Sequence, residues 1–184
     1  MSKTASNMLP LGTIAPDFEL KDVTTGNRIK LNDSTDYIAT VIMFICNHCP
    51  YVKHLNANLT QLANEYSSKN IRFLAINSND VESYPDDSPE NMRITAKSEH
   101  YPFPYLYDET QEVAKAYNAA CTPDFYVFDT KLCLVYRGQF DDSRPGNNIP
   151  VSGDSIRKAL DCLISPCNLD FEQKPSLGCN IKWK

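Results

Sequence analysis

The sequence predicts an α/β domain, and three observations carry that prediction. Apolar, strand-like runs alternate with amphipathic helical stretches along most of the 184 residues. The run 38–45, IATVIMFI, is unbroken and rich in β-branched residues, as a central strand buried on both faces has to be. A Cys-x-x-Cys pair, Cys46-Asn47-His48-Cys49, stands where that run gives way to a helix.

Taken in order, a proline-containing leader (1–14) precedes FEL (18–20) and RIKL (28–31), which flank Thr24-Thr25-Gly26-Asn27 and predict an N-terminal β-hairpin. From Pro50, Val52, Leu55, Leu59, Leu62 and Tyr66 recur at spacings of three and four, the signature of one helix face, and Pro50 fits the first turn, where a missing N–H costs little. IRFLAIN (71–77) predicts a second buried strand. Ser88-Pro89-Glu90 opens a helix to about Glu99 by an N-cap and a proline at N1.

Pro104-Tyr105-Leu106-Tyr107 predicts a short strand, and Asp108 with Gln111 a capping box for a helix to about Ala119. DFYVF (124–128) and LCLVYR (132–137) predict an antiparallel pair, with Cys133 in the core. Residues 139–152 read as a solvated polar loop whose Asp141, Asp142 and Arg144 could equally line a groove. Ile156, Leu160 and Leu163 mark a last helix. The chain is thus read as one domain (15–164) with a tail (165–184); the tail lacks periodicity, but Ile181 and Trp183 imply that it packs on the domain.

Composition removes whole classes of function. The net charge is −5 and no run of Lys or Arg exceeds two residues, so neither a nucleic-acid nor an anionic-membrane partner is expected. The start lacks the apolar stretch of a secretory signal, and no segment approaches a membrane span, which predicts a cytoplasmic protein. Seven cysteines (46, 49, 121, 133, 162, 167, 179) cannot close into a complete disulfide framework. Cys162, Cys167 and Cys179 could bridge tail to domain, but a reducing compartment favours thiols.

Cys46 and Cys49 are offered at a helix start, where unpaired N–H groups and the positive end of the helix dipole favour thiolate over thiol. A structural zinc site would need a second ligand pair, and none is spaced for it. No metal and no organic cofactor is therefore expected.

APDFEL (15–20), FICNHCP (44–50) and Thr122-Pro123 before DFYVF together resemble the thioredoxin-fold superfamily, in its peroxiredoxin-like, AhpC/TSA-type (redoxin) branch with a Cys-x-x-Cys active site. The resemblance covers about residues 10–164. It implies a thioredoxin-like fold, three layers α/β/α around a central mixed sheet, and a cis Thr122-Pro123 bond lying against the cysteine pair and offering backbone to an incoming peptide. By the same resemblance Cys46 is the solvent-facing nucleophile, Cys49 the resolving thiol, and Thr122 and Pro123 bind substrate. His48, directly before the second cysteine as in strongly oxidising relatives, would donate to the Cys46 thiolate. Cys121 is either a third redox thiol or a small apolar filler.

The expected activity is thiol–disulfide exchange with protein or small-molecule disulfides and thiols, coupled to a reducing or oxidising partner protein. Two alternatives stay open. A peroxiredoxin-like thiol peroxidase would need Pro-x-x-x-Thr-x-x-Cys, but Cys46 and Ile42 stand in the Thr and Pro places before Cys49, and Met43 and Ala39 before Cys46. A copper or zinc delivery or sensing module would use the same thiols with a histidine such as His54; His54, on the helix, is expected to point away, and His100 to be a surface residue.

Overall fold

The structure is a computed structural model that describes residues 3–33, 36–165 and 167–184. Its strands are β1 (Lys3–Ala5), β2 (Glu19–Asp22), β3 (Arg28–Lys30), β4 (Ala39–Phe44), β5 (Ile71–Asn77), β6 (Tyr105–Tyr107), β7 (Cys121–Thr122), β8 (Asp124–Phe128), β9 (Leu134–Gly138) and β10 (Leu177–Asn180). The helices are α1 (Pro50–Ser67), α2 (Pro89–Ser98), α3 (Glu112–Ala116) and α4 (Asp154–Ile164).

Seven strands form one mixed sheet in the order β3-β2-β6-β5-β4-β8-β9. β4 pairs in parallel with β5 and antiparallel with β8, so it is central, and all six of its residues are buried. The two-residue period of the strand divides them. Ala39, Val41 and Met43 pack with Val52, Leu59 and Leu62 of α1, Met92 of α2 and Ile156 and Leu160 of α4. Ile42 and Phe44 face the other way, onto Ala114 of α3, Tyr117, Phe18 and Leu31. This is the thioredoxin-like, three-layer α/β/α fold expected from sequence. Each fully buried Val, Leu, Ile or Phe side chain contributes about 1.5–3 kcal/mol, so β4 is the principal anchor of both cores.

The opening hairpin forms as β2–β3, with Leu20 opposite Ile29. α2 is capped as expected, Ser88 Oγ accepting from the Asn91 N–H. α3 is shorter than expected and the capping box does not form. Gln111 is instead left-handed (φ 65°), and buried Asp108 accepts from Ser78 Oγ and from the Ala114 N–H, three residues beyond the expected donor. Cys133 is half-buried rather than core, its N–H bonded to Asp129 Oδ1 in the turn before β9. The 139–152 loop is not solvated throughout: Asp141 is buried and accepts from the N–H groups of Ser143, Ser152 and Gly153.

The largest departure is in the tail. Residues 177–180 are a strand that lies between β1 and β7 in a second, antiparallel sheet, pairing Cys179 with Thr122 and with Lys3. Ile181 N–H then bonds Ala120 O, Lys182 N–H bonds Asn79 Oδ1, and Lys184 N–H bonds Gln111 Oε1. Ile181 is buried, whereas Trp183 is 43% exposed, its ring centroid 5.9 Å from the Lys115 ammonium. Cys162 and Cys167, expected as thiols, form a disulfide at the end of α4.

Gly178 makes this docking possible, because a Cβ there would lie 1.9 Å from the Thr122 carbonyl oxygen. Backbone meets backbone, and neither side has a flexible tip that can give way. Gly178→Ala is therefore expected to destabilise the protein by about 2 kcal/mol or more, as overpacking does, and to release β10. Thermal unfolding and hydrogen exchange at residues 177–181 check this: a variant with unchanged Tm and unchanged protection would show that the close approach is not needed.

Candidate active site

Five residues, Ile45 to Cys49, connect β4 to α1, and they carry the site. Across β4 and β8 Phe44 stands opposite Asp124, so the chain just beyond the strand end comes to lie beside Thr122 and Pro123. The Thr122-Pro123 bond is cis. Thr122 meets both cysteines: its Oγ1 is 3.2 Å from Cys46 Sγ, and its carbonyl oxygen is 3.2 Å from Cys49 Sγ. Cys49 is the N-cap of α1 and Pro50 its first residue, which leaves the helix head open to a negative sulfur.

Cys46 is not solvent-facing. It is 2% exposed and Cys49 is fully buried. The cover is the segment before α2: Asn47 N–H donates to Asp87 Oδ1 at 2.7 Å, Asn47 Nδ2 donates to Asp86 O at 2.8 Å, and the Tyr105 hydroxyl donates to Asn47 Oδ1. His48 is drawn the same way. Its Nδ1 is 2.6 Å from Asp87 Oδ2 and 4.0 Å from Cys46 Sγ, and its ring stacks on Tyr84. The expected donation to Cys46 is thus replaced by a hydrogen bond with Asp87, a residue that the sequence reading did not single out.

The electrostatics follow from these contacts. The hydrogen bond to Asp87 raises the His48 pKa above its ordinary value, against the cost of burial. Burial pushes Asp87 up, but donors on His48, Asn79 and Asn47 outweigh it and hold the carboxyl below its usual range. Each partner thus favours the charged form of the other, and the two form an ion pair wherever the imidazole is protonated.

A third sulfur completes the site. Cys179 Sγ, on β10, is 3.0 Å from Cys49 Sγ. Cys121, the candidate for that place from sequence, is buried two residues before Pro123 with its thiol turned to the Pro123 carbonyl at 3.8 Å, and burial raises its pKa. Cys49 is lowered to about 5, first by its hydrogen bond with Cys46, then, against burial, by Cys179 and the Val52 N–H at the helix head. Cys46 is pushed well above an ordinary thiol by that same bond to Cys49, by burial and by the Asp87 charge. Cys179 is raised to about 12 by burial and by its bond to Cys49. The cluster gives up its first proton easily and holds the others, so it carries one negative charge shared around Cys49.

Next to Pro123, Asp124 is fully buried, and burial raises its pKa to about 7, against the Tyr126 hydroxyl and Phe125 N–H that it accepts from. A cleft of about 470 Å³ opens on the other side of the site, lined by Asn47, His48, Lys53, Asn56, Asp86 and Ile94. His54 faces away from the thiols, 2.7 Å from Ser143 Oγ, and His100 is exposed. Arg144 lines a narrow pocket with His54 and Pro123, its guanidinium donating to Asp141 O, Ser143 O and Gln139 Oε1. Among the described residues, Cys46 Sγ, His48 Nδ1 and an Asp87 oxygen lie within 4.8 Å of one another, a donor set compatible with a metal ion. The 2.6 Å Nδ1–Oδ2 hydrogen bond would have to open first, because two ligands of one zinc-sized ion stand about 3 Å apart when each bond is about 2.0–2.1 Å.

The His48–Asp87 pair sets a pH window. A raised imidazole pKa contributes stability that is complete below about 6.5 and lost as pH rises through the folded value. A lowered carboxyl pKa contributes stability that is present above about 3.9 and lost as pH falls through the folded value. Asp87→Asn should flatten both limbs, return the His48 titration toward its ordinary value in NMR, and cost on the order of 3 kcal/mol at neutral pH, as loss of one partner of a buried pair does. An unmoved His48 titration in the variant would show that Asp87 does not hold the charge.

Residues 11–137 match the AhpC/TSA family. Two solved structures are similar over nearly the whole chain. An uncharacterized conserved protein from Geobacillus kaustophilus is 62% identical, with a TM-score of 0.98 over 100% of this chain and 97% of that one. A hypothetical protein from Sinorhizobium meliloti is 44% identical, with a TM-score of 0.96 over 98% of each chain. The thioredoxin domain of a thiol-disulfide oxidoreductase from Bacteroides vulgatus shares the fold at 17% identity, with a TM-score of 0.63 over 83% of this chain and 99% of that one. Among curated proteins none matches. With more than half of its length matched and the cysteines at the end of the central strand of a thioredoxin-like fold, the chain belongs to the AhpC/TSA family.

Proposed function

We propose that the protein is a thiol–disulfide oxidoreductase working through Cys46 and Cys49. The observation that carries the reading is the pair of buried sulfurs at the head of α1, both against Thr122, and the lowered pKa of Cys49 agrees with it. A site that loses its first proton well below an ordinary thiol holds a nucleophile at neutral pH.

The chemistry runs in two exchanges. The Cys46 proton passes to Cys49 along their hydrogen bond, and the Cys46 thiolate attacks one sulfur of a substrate disulfide. A Cys46–substrate bond forms, the substrate S–S bond breaks, and the departing thiolate takes up a proton. Cys49, deprotonated again, then attacks Cys46 Sγ; the Cys46–Cys49 bond forms and the second substrate thiolate leaves. Run in reverse, the same steps oxidise a dithiol, and the redox partner protein sets the direction.

Substrates of this reading are protein or small-molecule disulfides and thiols. The backbone of Thr122 is already paired with Cys179, so an extended peptide seeking that edge has to displace β10. The His48 cleft offers the other approach, with Asn47, Lys53 and Ile94 on its walls and Pro123 beyond the sulfurs. Exchange is favoured over peroxide reduction, since His48, the basic side chain nearest Cys46, is tied to Asp87 at 2.6 Å and is not free to polarise a peroxide. None of the helices among the described residues is long and apolar enough to cross a membrane. We place the activity in the cytoplasm, where the Cys162–Cys167 bridge would be exposed to reduction.

Equilibration against glutathione buffers, with mass-spectrometric mapping, tests this. A Cys46–Cys49 disulfide is expected to form reversibly with a potential between about −270 and −120 mV. Cys46→Ser should reduce disulfide turnover to the background rate of the buffer thiols. Turnover retained in that variant, or a reduced protein that consumes hydrogen peroxide faster than disulfides, would sink the exchange reading.

A further inference from the structure

We propose that Cys179 is a third redox thiol of this site, which takes the disulfide over from Cys46 by bonding to Cys49. The inference rests on the exchange reading above and adds to it a residue that lies 130 positions from Cys49 in sequence.

Three observations carry it. The Cys179 and Cys49 sulfurs are 3.0 Å apart, at the approach distance of reacting atoms and about 1 Å from the 2.05 Å of a disulfide. Cys179 is not a mobile tail residue brought there by accident, because β10 is fixed on both edges, by β1 on one side and β7 on the other. Its depth is set by Gly178, which lets the strand close onto the Thr122 carbonyl, the same group that faces Cys49. A cysteine serving only to fill space could sit anywhere along this strand; this one is 3% exposed, with its sulfur on the sulfur of the resolving thiol.

The step is an internal exchange and needs no further oxidant, since the substrate disulfide has already supplied the oxidising equivalent in forming Cys46–Cys49. The Cys179 thiolate attacks Cys49 Sγ. The Cys49–Cys179 bond forms, the Cys46–Cys49 bond breaks, and the Cys46 thiolate leaves and accepts the proton that Cys179 gave up. One disulfide is exchanged for another and Cys46 is returned as a thiol. Two of the causes that raise the Cys179 pKa, its hydrogen bond to Cys49 and the Cys49 charge, vanish once Cys49 is in a disulfide, and the Lys182 ammonium favours the thiolate. With its nucleophile restored, the oxidised protein can engage a second disulfide while the first oxidising equivalent is stored between helix and tail.

The test is disulfide mapping of the full chain after oxidation with oxidised glutathione, acid quenching and alkylation with N-ethylmaleimide. In the wild type both Cys46–Cys49 and Cys49–Cys179 peptides are expected, the second with alkylated Cys46. For bridges of equal potential about half of the oxidised molecules carry an alkylated Cys46, and each tenfold change in that ratio corresponds to ~30 mV between them. Oxidised Cys179→Ser should lose the Cys49–Cys179 peptide and the Cys46 alkylation, whereas Cys46→Ser, held against oxidised glutathione to equilibrium, should form Cys49–Cys179 at no more than the background rate of the buffer thiols. If only Cys46–Cys49 appears in the wild type and Cys46→Ser forms no Cys49–Cys179 bridge, the third thiol is overturned and the exchange reading stands. Cys49–Cys179 without any Cys46–Cys49 upholds Cys179 and overturns the reading through Cys46. Neither bridge overturns both.

Discussion

Both sulfurs of the Cys-x-x-Cys pair rest on Thr122, and Thr122 is held from behind by the tail. Its hydroxyl meets Cys46, its carbonyl meets Cys49, and its backbone pairs with Cys179 on β10. The β4–β8 register delivers the cysteines to this residue, while the bare Cα of Gly178 lets β10 press the residue toward them. Loss of either would leave the sulfurs without a common floor. That dependence explains why a short strand near the chain end matters to chemistry at residues 46 and 49.

The charge arrangement is governed by where compensation is available. On the Cys46 side, Asp87 would repel a thiolate, and His48, which could attract one, is committed to Asp87 at 2.6 Å. On the Cys49 side the helix head and two neighbouring S–H groups supply donors, and no carboxylate intervenes. At comparable burial the difference in partners decides, so the resting charge gathers around Cys49. Asp124 shows the converse: a carboxyl fully buried with only neutral donors, from Tyr126, Phe125 and Ser176, is pushed to about 7.

Legibility in the sequence followed the strength of local pattern. β4, β5, α1 and α2 were readable because each carries its own signal, whether an unbroken apolar run, a helical stripe, or a cap followed by proline. α3 was misjudged because Asp108 and Gln111, spaced as a capping box, bond to partners elsewhere: Asp108 to Ser78 and a deeper helical N–H, Gln111 to the Ser78 and Lys182 carbonyls. β1, β7 and β10 are two to four residues long and exist by pairing with one another, so no window of sequence contains their cause. The turn cysteines and Thr122-Pro123 could be named from their motif. Asp87 and Cys179 could not, since each acts through a contact with a distant residue.

The tail illustrates how such contacts could be anticipated in part. Its composition gave a reason to expect packing, namely apolar residues costly to leave in water, which holds for Ile181 and not for Trp183, and it did not give the form of that packing. Gly178 directly before Cys179 was the unused signal: a glycine inside a strand often marks a place where another backbone comes close. Here that other backbone is the Thr122-Pro123 segment, so the side chain after the glycine is delivered to the sulfurs. A position fixed by backbone contact on both edges holds its side chain more tightly than one on a loop, and the 3.0 Å Cys49–Cys179 distance is the consequence.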